Sequence, residues 1–165
     1  MTRAAVVSAI GGVLVTAWLV WPTEADRVRQ RVEDLAVAAS VPAHESEVGR
    51  IARLAQLTAG LTPDVHVDLG DGGRVQRREV VVGLAGRALA DLAPLDVELG
   101  RLDVTVDPDG THATVLGVVG LRSARRAEQG LEPAVEDVVL SLVRHDGAWR
   151  LEGVARRTDA PSGVE

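Results

Sequence analysis

After Pro94 the apolar residues change period, and that change constrains the fold more than any other feature of the chain. From Thr23 to Leu92 apolar positions recur every three or four residues, apart from one short alternating stretch; beyond Pro94 they recur every two. The first spacing puts one face of a helix on a core, and the second puts one face of a strand there. A chain that is mostly helical first and alternating afterwards is an α+β protein, with helices gathered on one face of an antiparallel sheet. In "LDVELGRLDVTV" Val97 and Leu99 stand at odd positions but Leu102, Val104 and Val106 at even ones. Such a slip of parity is a β-bulge, here at Gly100-Arg101. "DPDG", 107 to 110, has turn chemistry, and the next strand aligns Ala113, Val115, Val119 and Leu121.

The last hairpin is the most legible element. Asp146-Gly147 forms a two-residue loop that pairs His145 with Ala148, Arg144 with Trp149 and Leu142 with Leu151. One face then carries Val138, Leu140, Leu142, Trp149, Leu151 and Ala155. The other carries Val139, Ser141, Val143, His145, Arg150, Glu152 and Val154. Trp149 is thereby a core plug and a register pin, with Arg144 opposite it for a cation–π contact.

In the helical half, Thr23 and Asp26 have capping-box spacing, and Val28, Val32, Leu35 and Ala39 follow on one face. "SVPAHESE" breaks this helix and opens a second, whose apolar stripe is Val48, Ile51, Leu54 and Ala55. Val65, Val67 and Leu69 alternate with His66 and Asp68 in a short strand that ends in a glycine turn, "GDGG". A third helix runs from about Arg77 to Leu92, with Val81, Leu84, Ala88 and Leu92 in register. "RSARR", 122 to 126, is the densest basic run and reads as a solvated loop between strands.

Ahead of all this, residues 4–21 read "AAVVSAIGGVLVTAWLVW" with no charge. Eighteen helical residues span about 27 Å, close to the ~30 Å hydrocarbon core of a bilayer. Arg3 precedes the run, Glu24 and Asp26 follow it, and Trp18 and Trp21 sit at its far end, where indoles favour headgroups. The expectation is a single-pass anchor in a bacterial inner membrane with the C-terminal domain outside the cytoplasm. The rival is a signal peptide cut after "TEA", although the apolar run is long for one. The domain bounds expected are 1–22 for the anchor or signal segment, 23–158 for the folded domain and 159–165 for a disordered tail.

Composition excludes several chemistries. The chain has no Cys, so disulfides, thiolate metal sites and cysteine nucleophiles are out. With a formal net charge of −6 and scattered arginines, no nucleic-acid partner is expected. "GDGG", 70 to 73, has neither the Lys nor the strand–loop–helix context of a phosphate loop, and no cofactor motif occurs.

The order helix, helix, strand, helix, then four antiparallel strands resembles the nuclear transport factor 2-like (SnoaL-like, cystatin-like) superfamily. "LTPDVHVDL", "RREVVVGLAGRA", "LDVTVDPDGTHATV" and "LVRHDGAWRLEGV" carry the likeness, which covers roughly residues 24 to 157. One departure is the lead-in to the third helix, Gln76-Arg77-Arg78-Glu79, where many relatives have Gly-Arg-Asp/Glu. The resemblance implies a curved sheet wrapped around about three helices, a cone whose interior can hold a small molecule. It also implies a range of roles, from isomerases, dehydratases and hydrolases to domains that only bind or assemble. Isomerase-like relatives pair a pocket carboxylate with Tyr and a protonated Asp; this chain has no Tyr, so that device does not carry over.

The remaining catalytic candidates are His66 and Asp68, which share a strand face as a base or a metal site would require. A half-exposed strand showing its polar side has the same pattern. His112 and His145 fall at one end of the sheet beside Asp107, Asp109 and Asp146, where they could hold a ligand or respond to mild acid; solvated turn residues look alike. No metal site and no cofactor is expected. The functional expectation is a membrane-tethered extracytoplasmic binding or assembly domain without catalysis, partnered by itself as a homodimer or by a membrane complex. Val139, Val143 and Val154 are its candidate interface. The alternative is a small-molecule enzyme of isomerase, dehydratase or hydrolase type working in the cone.

Overall fold

The computed structural model describes residues 22–70, 73–92, 94–130 and 133–157. Residues 4–21 and the tail 159–165 lie outside this range, and among the described residues no helix is long and apolar enough to cross a membrane. The order is α1 (Glu24–Ala39), α2 (Glu47–Gly60), β1 (Leu61–Gly70), β2 (Gly73–Gln76), α3 (Arg78–Leu92), β3 (Leu95–Val106), β4 (His112–Ser123), α4 (Ala124–Glu128), β5 (Ala134–His145) and β6 (Ala148–Arg156). One curved six-stranded sheet, ordered β2-β1-β6-β5-β4-β3, packs its inner face on the three long helices. β1 lies parallel to β6 and every other neighbouring pair is antiparallel. The α+β expectation holds.

α1 starts where the capping box places it. The Thr23 hydroxyl accepts from the Asp26 N–H at 3.1 Å, and the Asp26 carboxylate accepts from the Thr23 N–H at 3.0 Å. The Thr23 hydroxyl also donates to the Asp26 carboxylate at 2.7 Å, and this bond first, then the one from the Thr23 N–H, holds the Asp26 carboxyl below its ordinary range. Val28 and Val32 lie fully inside, against a sheet face made by Leu61, Val65, Ala113, Val115, Leu140, Leu142, Trp149 and Leu151.

α2 departs from expectation. Val48 and Ile51 of its apolar stripe face water, 77% and 61% exposed, while Leu54 is half-buried beside Gly86 and Arg53, Leu57 and Gly60 turn inward. Two contacts set this rotation. Gly60 lies directly under the Leu35 side chain, and Arg53 is drawn in by Glu45, at 2.6 Å through Nε and 3.0 Å through Nη2. The basic run is also different: Ser123 ends β4 buried and residues 124–128 form the short helix α4. The glycine turn leads into β2, a four-residue strand that was not read from the sequence.

The bulge in β3 is present between Leu99 and Leu102. A second one, not foreseen, falls in β6: Leu142 pairs with Leu151 but Ser141 pairs with Gly153, leaving Glu152 as the extra residue. Parity flips there. Val154 therefore faces the core opposite Leu140, and Ala155 faces outward opposite Val139, the reverse of the alternation read from sequence. The tip itself is as expected, with Asp146 at φ 50° and Gly147 at φ 78°, the pair of positive angles a type I′ turn requires. Trp149 is 4% exposed opposite Arg144.

Leu142 is 1% exposed at the centre of this packing. Leu142→Ala should cost about 2–5 kcal/mol, the usual range for a buried Leu truncation, read as a lowered urea midpoint at unchanged slope.

Candidate functional site

The inner face of the sheet is closed where α1 covers it and open where α3 does. Between α3 and the β1–β2 hairpin lies an apolar slot of about 440 Å³, lined by Val67, Val75, Val81, Leu84, Ala85 and Ala88. Alternation places Val67 on the same inner face as Val65, and pairing with Val75 brings β2 into the wall. Helical spacing puts Val81, Leu84 or Ala85, and Ala88 along one side of α3. The helix is held in place by an unusual start. Arg77, at φ 74°, turns the chain from β2, gives its N–H to the Val65 carbonyl at 3.0 Å and accepts from the Val81 N–H at 3.0 Å. The departure at Gln76-Arg77-Arg78-Glu79 thus corresponds to a left-handed residue that L side chains adopt infrequently.

None of the six lining side chains can donate, accept or move a proton. What the slot can do is take up hydrocarbon, at about 25 cal/mol per Å² of apolar surface removed from water. One step along the inner face from Val138 and Val154 stand Glu136 and Arg156, a half-exposed ion pair at 3.6 Å. The Arg156 stem lies beside Gly70, 3.8 Å from where a Cβ would stand there.

The sequence candidates fall elsewhere. His66 and Asp68 do share a face, but it is the outer one: Val67 between them lines the slot. The His66 ring covers Gly153, with Cε1 and Nε2 2.7 Å from the position a Cβ would take, so a side chain there would collide with it. Asp68 accepts from the Gly70 N–H at 3.0 Å and pairs loosely with Arg74 at 3.7 Å. At the far end of the sheet, Asp107, Asp109 and His112 come together with ligand-capable atoms within 4.8 Å, all exposed. Their positions follow from the turn. Asp109 accepts from the Thr111 N–H at 2.9 Å, which holds its carboxyl below the ordinary range, and His112 Nδ1 meets the Thr111 hydroxyl at 2.9 Å. His145 shares that end but pairs with its own neighbour Asp146 at 3.2 Å.

Of the interface candidates, Val139 and Val143 lie half-buried on the outer face, and the β6 bulge removes Val154 from it. Sequence reading missed Val75 and Ala85 in the slot, as well as the inward-turned Arg53. A lone Val in "GRVQ" is too short a pattern to reveal a strand, and nothing in "GRIARLAQL" marks its second arginine as buried.

No family profile matches the chain, and no curated protein does. Solved structures do. A nuclear transport factor 2-like protein of unknown function from Pseudomonas putida KT2440 superposes with a TM-score of 0.62 at 15% identity, over 86% of this chain and 89% of that one. An uncharacterised protein with a cystatin-like fold from Caulobacter vibrioides gives 0.61 at 14% identity, over 82% and 89%. A candidate ketosteroid isomerase from Shewanella frigidimarina gives 0.60 at 14%, over 81% and 94%. The fold is the nuclear transport factor 2-like, cystatin-like one.

Glu45 supplies a pH dependence. The hydrogen bonds from Arg53 hold its carboxyl below the ordinary glutamate range. A depressed folded pKa contributes stability above the unfolded value of about 4.3 and loses it as pH falls through the folded value. Glu45→Gln should therefore lower the melting temperature at pH 7 and shrink the difference between variant and parent below pH 4.3. A difference independent of pH would show that the pair does not titrate with folding.

Proposed function

We propose that this is a membrane-tethered extracytoplasmic binding or assembly domain, held by residues 4–21 and without catalysis of its own. What supports the reading is the chemistry of the inner face. Its centre is filled by Val28, Val65, Val115 and Leu142, and the slot beside α3 offers only Val, Leu and Ala walls. An acid–base enzyme places a titratable group within hydrogen-bond reach of its substrate. Here His66 and Asp68 stand on the other side of the sheet.

The outer face suits self-association. Leu116, Val139 and Ala155 stand in one cross-strand row, with Val143 four residues further along β5 on the same face and Leu116 37% exposed. A two-fold contact through such a row is self-complementary. Val139→Glu, which puts a charge at its centre, should convert a dimer of the full chain into monomer in sedimentation velocity, and Val143→Glu should weaken it. A parent that sediments as a monomer would leave the assembly to a different partner in the membrane.

A second reading, a small-molecule isomerase, dehydratase or hydrolase, is favoured by the slot volume and by the description of the Shewanella relative. Ala85→Trp would fill much of the slot. Loss of a measured turnover in that variant, with melting unchanged, would favour the enzyme; turnover that persists would place the chemistry outside the slot.

A further inference from the structure

The slot beside α3 has two properties that a gap in packing does not need. Its walls stay open: Leu84 is 46% exposed, and Val67, Val75, Val81 and Ala85 are only half-buried although they line one cavity. It also starts at an unusual residue. Helical spacing places Arg77 four residues before Val81, seven before Leu84 and eleven before Ala88, at the head of the stripe that lines the slot. The Arg77 backbone stands at φ 74°, which glycine adopts without steric cost and arginine does not. Arg77 is exposed, and among the described residues its guanidinium has no hydrogen-bond or ion-pair partner, whereas Arg74 pairs with Asp68 and Arg78 with Glu79. A strained angle kept under an unpaired charge, at the end of an open apolar slot, has the marks of a ligand clamp.

Wall chemistry selects the occupant. A polar atom carried inside would lose its hydrogen bonds to water without replacement, because no lining side chain donates or accepts. A fused-ring molecule carries such atoms along its body, whereas an alkyl chain keeps them at one end. Size agrees with one chain. A methylene takes roughly the room of one water, ~30 Å³, so the slot's 440 Å³ accommodates a chain of about 14 carbons. From Arg77 to Ala88 α3 advances about 16 Å at 1.5 Å per residue, close to the extended length of such a chain. A two-chain lipid would need twice the volume. The two ends differ in charge: Arg77 and the positive end of the helix dipole stand at one, and the exposed Asp91, three residues beyond Ala88, at the other. An anionic head belongs at the Arg77 end, where an unpaired guanidinium offers a carboxylate two parallel hydrogen bonds. We infer that the slot binds a single unbranched alkyl chain whose carboxylate is held by Arg77 at the start of α3. The inference rests on the reading of this chain as a binding domain without catalysis, and names what it binds.

The full chain, in phosphatidylcholine vesicles without detergent, is irradiated with tetradecanoic acid that carries a diazirine at the end of its tail, and the labelled residues are mapped by mass spectrometry. The expected label falls on α3 around Ala88, away from Arg77. Unlabelled tetradecanoate should compete on the order of tenfold better than tetradecyltrimethylammonium, which has the same tail and the opposite charge, that ratio being the weight of a charge-assisted hydrogen bond. It should also outcompete androstenedione, a ketosteroid. Ala85→Trp fills the slot and should remove the labelling. Arg77→Gly should cut it by about the same tenfold factor with the melting temperature unchanged or higher, because glycine relieves the backbone; a residue kept for packing alone would not separate binding from stability in this way. Label spread over the chain or centred on Arg77 overturns the inference, as does label unmoved by Ala85→Trp or by Arg77→Gly, or equal competition by the cation or the steroid. The mass of the recovered tetradecanoate is checked as well. A converted product would sink the reading without catalysis and leave the binding site standing, whereas absent labelling sinks the inference and leaves assembly through the outer face as it was.

Discussion

The packing of Val28 and Val32 on the inner face of β4, β5 and β6 is the contact on which the other features depend. Both valines are almost wholly buried, and the residues they meet, Val115, Leu142 and Trp149 among them, are drawn from three strands. Burial of this kind is non-directional and scales with apolar area, so it holds α1 on the sheet without dictating much else. The capping box and the Glu24 contacts to Trp149 and Arg144 supply direction. Together they place α1 across the sheet so that the β5–β6 tip meets its first turn.

With α1 in that position, the interior divides. The part beneath α1 is closed by branched side chains, and the part beneath α3 keeps an apolar slot. A domain with no Phe or Tyr has few large side chains for filling such a gap, and Val and Ala leave space where an aromatic ring would not. The outer face has a separate logic. There His66 lies on Gly153, and the row Leu116–Val139–Ala155 is left accessible. Assembly and small-molecule uptake would thus use opposite sides of one sheet and need not compete.

Much of this was legible in order and period. The helix starting at Thr23, the bulge at Gly100-Arg101, the type I′ tip and the pairing of Arg144 with Trp149 all follow from local rules: capping geometry, alternation and the backbone angles a tight turn accepts. The errors share one cause. The second bulge, at Glu152, leaves no change of pattern in "WRLEGVAR", because Val154 and Ala155 are both small and apolar and either could face the core. On α2, periodicity showed an apolar stripe but not which way it points. That was decided by Gly60 under Leu35 and by Arg53 turning toward Glu45.

What the sequence by itself determined is therefore the kind of each long element and the α+β class, since capping, turn chemistry and hydrophobic period act over a few residues. Only the tertiary structure decided which faces are buried, that His66 and Asp68 point away from the interior, and that the slot exists at all. Those outcomes depend on register between strands far apart in the chain and on how closely two helices approach. A single inserted residue reverses a strand's faces, and one glycine rotates a helix, with almost no trace in local composition.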